Sequence, residues 1–437
     1  IPSADGRLPK VHGGGSNRFF YVNGGDLVLE SLELTGGRVG SQYYTSGGAV
    51  YVNKKGYIWA KKCIFSQNIA KSSNDESRGG AIGCVNVGTV VKIEDSVFLQ
   101  NEAGFGGAVA PYTGGLLLSV NTSYSKNVAN HNVHNKDAGG PVLASWQNTL
   151  ANFYFLGKKN IFKGNILRAS GASDVVGGNP FTLFGENSLA KLHLINLPAD
   201  AFETAFTPPK LANANADNPL YTQYCVDKPN PNEGVVCENL PPPCSILRAG
   251  DFTVTSDCVM YYEIVVTDEL KVTGVPEVLP KLIGAGRNRL FKVESGGKLT
   301  LSFLNLTGGR ANESECESPS SNCGGGAVYV HSGSFHSFKS SFINNRAYYG
   351  GAVFGILRAE VVCLNSNFSV NVARYGGGAI MMSNQGRLLV RGGVINRNEA
   401  TGGIWPMGGG GVHCHDMVSC TYERTRVSNN RAFWGGG

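Results

Sequence analysis

The residues best suited to chemistry in this chain are its cysteines and histidines. The sequence holds 11 cysteines in 437 residues. Several stand in close pairs: Cys225 with Cys237, Cys244 with Cys258, Cys316 with Cys323, and Cys414 with Cys420. A short separation lets two thiols staple one loop as a disulfide, and such bonds persist in oxidising compartments. Cys63 and Cys84 are expected to bridge neighbouring repeats, which leaves Cys363 as an odd, buried thiol. Spacing alone does not fix the pairing. The run His413-Cys414-His415-Asp416 offers a second chemistry. On a strand the two histidines share a face and the cysteine takes the other, so His413 and His415 would hold zinc if a third ligand joined them. The plainer reading is a Cys414–Cys420 disulfide beside two exposed histidines. No metal, cofactor or catalytic residue is expected. Asn-x-Ser/Thr sequons begin at Asn121, Asn305, Asn312 and Asn367; Asn305 and Asn312 are the preferred glycan acceptors because they flank a glycine-rich loop.

These residues are carried by a repeat. From Gly325-Gly326-Ala327 to Ala352 a glycine pair opens a strand, a second strand closes on Phe342-x-x-Asn345, and a new glycine pair follows. The aromatic or apolar residue and its asparagine return as Phe65 with Asn68, Phe98 with Asn101, Tyr124 with Asn127, Phe162 with Asn165, Phe368 with Asn371, Ile395 with Asn398, and Val427 with Asn430. The period is about 26 to 38 residues, too short and too rich in glycine for a helical hairpin. Seven residues before the aromatic stand Ile58, Val91, Leu117, Phe335, Val361, Leu388 and Cys420; two before it stand Cys63, Ser96, Thr122, Ser340, Ser366, Gly393 and Thr425. Such columns arise when coils stack in register about 4.8 Å apart. Large residues then fill the interior, and small ones let a corner turn. Asparagine at a turn tolerates positive φ, and its amide can bond to the coils above and below as a ladder. The expected fold is all-β: a parallel β-solenoid.

The GGA and aromatic-x-x-Asn repeat resembles that of the polymorphic outer-membrane-protein family. The likeness spans roughly residues 13–170 and 280–437. It implies right-handed parallel β-helices of the pectin-lyase-like class, and it implies surface, adhesive or structural roles with no shared catalytic residues. Enzymes of that fold class, the polysaccharide lyases and hydrolases, need carboxylates converging on one sheet to hold Ca²⁺ or to act as acid and base. The column four before the aromatic reads Lys61, Glu94, Val120, Phe338 and Leu364, and Asp95 stands level with Lys62, Asn121, Lys339 and Asn365. Neither column gathers carboxylates, and the expectation is a protein that is not an enzyme.

Residues 11–40 and 282–311 are two versions of one passage, offset by about 271 residues. The chain therefore divides into two tandem solenoids: residues 1–207, a connector 208–245 rich in proline and cysteine, and residues 246–437. Both ends read as cut from a longer array, leaving sheet edges that pair readily with another chain. Arg18 and Arg289 occupy the same place in the two copies, as do Arg38 and Arg310; a structural salt bridge or a capped turn is the expected role, ahead of a shared binding function. Tyr43, Tyr44, Tyr348, Tyr349, Phe433 and Trp434 read as exposed aromatics that stack from coil to coil. A net charge of +6 is too small and scattered to indicate nucleic acid, and no run of about 18 apolar residues offers a membrane span. The function expected is structural: a rigid module of a secreted or surface filament, a flagellar hair-like fibre or a surface layer. Its partners would be copies of itself, other fibre subunits, or glycans if the chain belongs to an adhesin.

Overall fold

The structure is a computed structural model. It describes residues 8–40, 46–71, 77–131, 140–146, 152–157, 159–169, 175–176, 181–184, 191–197, 201–202, 221–226, 241–285, 288–311, 323–402 and 408–433. The chain folds as two compact units, Ile1–Glu238 and Asn239–Gly437. Each is a parallel β-solenoid with four sheets, and among the described residues there is no α-helix.

One coil of the second unit shows the construction. Val353–Ile356 follows the glycine pair, Glu360–Leu364 follows a corner, Asn367–Ser369 carries the central Phe368, and Val372–Gly376 closes the turn. Each strand hydrogen-bonds to its counterparts in the coils before and after, which gives a glycine wall, a wide wall, an aromatic wall and a short wall. Among the described residues these walls hold six, seven, seven and four strands in the second unit, and six, seven, six and six in the first. Described strand pairs are parallel except Val175–Val176, which runs antiparallel to Ile166–Ala169.

Pleating decides what is inside. Along each wide strand alternate residues point inward. Ile58, Val91 and Leu117 are level in register, as are Phe335, Val361, Leu388 and Cys420. In the aromatic wall the middle residue of each three-residue strand is buried, except in the outermost described strands, where Val11 and Val427 are exposed. Phe65, Phe98, Tyr124 and Phe162 stack with centroids 4.7, 5.0 and 5.4 Å apart, and Phe202 extends the stack at 5.1 Å. Phe342 and Phe368 do the same at 4.7 Å. Offset stacking adds roughly 0.5–1.5 kcal/mol per pair beyond burial.

The glycine pairs are explained by contact. A Cβ on Gly351 would lie 2.2 Å from the Gly378 carbonyl oxygen, and one on Gly80 would lie 2.2 Å from that of Gly107. The first glycine of several pairs also has positive φ, +54° at Gly350 and +64° at Gly79.

Two expectations of local structure are corrected. The ladder asparagines are not the left-handed residues. The residue before each one is: Gln67, Gln100, Lys126, Asn344, Val370, Arg397 and Asn429 all have φ between 54° and 57°. That turn precedes the asparagine, whose side chain enters the stack. The connector also contributes to both solenoids. Tyr221–Val226 joins the first unit's wide wall beside Lys191–Leu197. Pro243 bridges Val259, and Cys244 with Ile246 enters the second unit's core. Prolines suit that position, because an outermost strand has no neighbour awaiting their missing N–H.

Candidate functional site

The asparagines form two internal ladders. In the second unit, Asn371 donates its backbone N–H (3.0 Å) and its Nδ2 (2.9 Å) to Asn398 Oδ1, and its Nδ2 also donates to the Phe342 carbonyl at 2.9 Å. Its own Oδ1 accepts the backbone N–H and the Nδ2 of Asn345, each at 3.0 Å. Asn398 makes the same bonds to Asn430. In the first unit the same pattern links Asn68 to Asn101, Asn101 to Asn127, and Asn127 to Asn165. Each ladder starts on a glycine: Gly37 donates to Asn68 and Gly309 to Asn345. Each Oδ1 thus accepts from the preceding coil, while each Nδ2 donates both to the next asparagine and back to a carbonyl of the preceding coil.

A second ladder lies at the small-residue corner, which the sequence reading treated only as a tight turn. The Cys63 N–H donates to Ser96 Oγ at 3.0 Å, and the Leu304 N–H donates to Ser340 Oγ at 3.2 Å. Thr122 is served by Asn160 instead. The signal was present in the hydroxyls of that column, Ser96, Thr122, Ser340, Ser366 and Thr425.

The cysteines divide three ways. Cys244–Cys258 and Cys414–Cys420 are disulfides. Cys323 is disulfide-bonded, while Cys316 and Cys237 lie outside the described residues; Cys225 sits in the strand Tyr221–Val226. The expected Cys63–Cys84 bridge is not formed. Both are free and buried, as is Cys363. The reason is register. Cys63 stands at the small-residue corner, level with Ser96, and its thiol reaches the Leu29 and Lys61 carbonyls as a serine would. Cys84 lies in the glycine wall, level with Val52 and Pro111. Burial pushes the Cys84 and Cys363 thiols up to about 12, which leaves them protonated and inert.

Of the sequons, Asn367 is exposed, with its Oδ1 accepting the Val394 N–H at 3.1 Å. Asn121 is half-buried at a left-handed corner, φ 49°. Asn305 opens a strand of the aromatic wall rather than flanking a loop, and its Oδ1 is buried with no hydrogen-bond partner among the described residues. Asn312 is outside the described residues.

Outside the coils the units carry different chemistry. Arg18 lies 5.2 Å from the Tyr51 ring, and Arg289 lies 4.7 Å from that of Tyr329. Arg289 is buried, pairs with Glu263 at 3.0 Å and donates to the Gly325 carbonyl. On the first unit's wide wall Lys92 points outward yet is fully buried. Its Nζ is 2.8 Å from Glu94 and 4.5 Å from the Trp59 ring, and burial lowers its pKa against the opposing pull of Glu94. The second unit's flank holds Tyr329, Tyr348, Tyr349, Phe354 and Met381 in a small core of their own. Tyr348 and Tyr349 are only 9% and 7% exposed, which corrects their reading as exposed aromatics. Phe433 is exposed; Tyr43, Tyr44 and Trp434 lie outside the described residues.

His413 and His415 stack at 5.9 Å beside the Cys414–Cys420 bond. His413 is half-buried, its Nδ1 bonds to the Gly408 carbonyl at 2.8 Å, and burial lowers its pKa. His415 faces Asp416 at 3.1 Å. Among the described residues no cluster of three or more His, Cys, Asp or Glu is poised for a metal. A cleft of about 680 Å³ runs along one corner of the second unit, lined by Ser332, Leu357, Arg358, Asn384, Gln385, Asp416 and Met417. Its walls come from successive coils.

No family model matches this chain, and no characterised protein matches it either.

Proposed function

We propose that this chain is a non-enzymatic structural module of an extracellular or cell-surface assembly, built on a repeat of the polymorphic outer-membrane-protein type. The observation that carries the reading is the internal ladder. In both units the residues that recur with the period are spent on joining one coil to the next: asparagine amides, stacked rings and glycine corners. A protein organised this way is a stiff stack whose stability grows coil by coil. The disulfides Cys244–Cys258 and Cys414–Cys420 suit an oxidising compartment. Electron microscopy of native, untagged material tests the reading. Fibres with an axial repeat of one or two solenoid lengths support it. Isolated rods at working concentration overturn the self-assembling filament.

A second reading has one observation in its favour. The corner cleft offers an amide, a guanidinium and a carboxylate from Gln385, Arg358 and Asp416 beside Leu357 and Met417. That mixture suits hydroxyl-rich, linear glycans, as in an adhesin. A glycan-binding screen with the Arg358→Ala, Gln385→Ala double variant as control decides it: binding lost in the variant supports the adhesin, and no binding by the native chain removes it.

A further inference from the structure

The tyrosines on the second unit's flank are arranged in an unusual way. The short-wall strands Arg346–Tyr349 and Val372–Gly376 pair Ala347 with Ala373 and Tyr349 with Gly376. Between those pairs the first strand has one residue, Tyr348, and the second has two, Arg374 and Tyr375. This is a β-bulge, a device that re-aims a side chain. Without the extra residue, Tyr348 would lie level with Arg374. With it, the Tyr375 ring comes to 4.3 Å from the Tyr348 ring, centroid to centroid, at an interplanar angle of 35°. The two rings are thus in contact across successive coils. Tyr349 is farther off, 5.0 Å from Tyr348 and nearly perpendicular, and 5.9 Å from Tyr375.

From this geometry we infer that Tyr348 and Tyr375 are a site of oxidative cross-linking, in which a dityrosine bond joins two successive coils. Dityrosine forms between the ring carbons next to the hydroxyls. Rings held this close bring those carbons within reach of one another. Tyr375 is the half-buried member and the one an oxidant meets first, while Tyr348 is held behind it. Arg374 lies over both rings, 5.5 and 6.0 Å from their centroids. A cation there opposes a positive charge on the ring, so each electron leaves together with the phenolic proton.

The step balances with hydrogen peroxide as oxidant, acting through a haem peroxidase. Each tyrosine gives up one electron and one proton and becomes a phenoxyl radical. The two radicals join through one new carbon–carbon bond, and each ring then moves its displaced hydrogen to oxygen to restore the phenol. The peroxide accepts the two electrons and two protons, its O–O bond breaks, and two waters form. The chain ends two hydrogen atoms lighter.

The test treats the full chain with hydrogen peroxide and a haem peroxidase at a dilution where it stays a single chain. Dityrosine fluorescence, intact mass and peptide mapping are the readouts. The expected result is one cross-linked peptide pair joining Tyr348 to Tyr375. Fluorescence should fall to background in Tyr375→Phe and persist in Tyr349→Phe. Tyr21→Phe should also couple normally; it removes the stacked Tyr21–Tyr51 pair of the first unit, whose centroids are 5.4 Å apart. Phenylalanine keeps the ring contact, so the variants are expected to fold, and a native β-sheet circular dichroism spectrum checks this. Absence of coupling under conditions that couple free tyrosine, a map that places the bond elsewhere, or undiminished coupling in Tyr375→Phe would overturn the inference.

Discussion

The two solenoids agree inside and differ outside. Asn101 and Asn371 make the same bonds to the coils on either side. The outward face of the wide wall does not repeat. In the first unit its central column passes from Val28, about half exposed, through Trp59 to Lys92, Leu118 and Tyr154, all buried. In the second unit the matching column is Lys271, Thr300, His336, Val362 and Leu389, none of them buried. The flank of the glycine wall diverges the other way. Both units place an arginine over a tyrosine, Arg18 over Tyr51 and Arg289 over Tyr329; the first adds Arg78 over Tyr112 at 4.1 Å, whereas the second adds a cluster of aromatic rings. Stacking constrains the interior of every coil, while the outer positions are free to change. What distinguishes one solenoid from the other in function must therefore be sought on the outside.

The comparison breaks if interior substitutions act in only one unit. The largest effects belong to the glycine corners. Gly351→Val and Gly80→Val each force a side chain into the next coil's backbone, and each should cost more than about 4 kcal/mol in urea unfolding of its own unit. Next come the ladders. Asn371→Leu and Asn101→Leu strand buried donors and acceptors on both neighbours, and equal losses of roughly 3–5 kcal/mol are expected from several orphaned groups. A loss confined to one unit would show that the ladders are not equivalent.

Outer positions should separate the units. Glu94→Gln leaves Lys92 buried beside a neutral partner and should cost about 3 kcal/mol. Glu423→Gln removes the exposed partner of Arg391, which is 2.6 Å away, and should leave the midpoint of unfolding unchanged. Equal losses at both would contradict the distinction.

The terminal coil should respond to acid. Burial holds the folded His413 pKa below the ordinary 6.5, so the unfolded chain takes up its proton first. Stability from the neutral form is whole above pH 6.5 and is lost as pH falls through the lower, folded value. Protection factors across 412–432, taken relative to the intrinsic exchange rate at each pH, should therefore fall between pH 7 and 5, and His413→Gln should flatten the change. The smallest effect is a gain. Val370 is β-branched at φ 57°, and Val370→Asn should stabilise by about 1 kcal/mol in thermal unfolding.

Much of the interior was legible because stacking turns period into position. Ile58, Val91 and Leu117, or Phe342 and Phe368, share a column in the sequence and in register. What escaped was not marked by spacing alone. The left-handed turn sits one residue before each asparagine, and spacing cannot distinguish adjacent positions. Cys63 and Cys84 fail to meet because the column partner of Cys63 is Ser96, 33 residues on. Phe202 continues the aromatic stack without an asparagine three residues later to announce it. Tyr348 and Tyr375 meet through one inserted residue, and an insertion of that size looks like ordinary variation in coil length.

The central claim is that internal ladders hold both solenoids together. Amide hydrogen exchange on the intact chain tests it most directly. The account predicts that the backbone N–H groups of Asn68, Asn101, Asn127, Asn345, Asn371 and Asn398, each bonded to the next asparagine, are among the slowest to exchange in both units. Ladder amides that exchange as quickly as the exposed corner at Leu357 and Arg358 would contradict it.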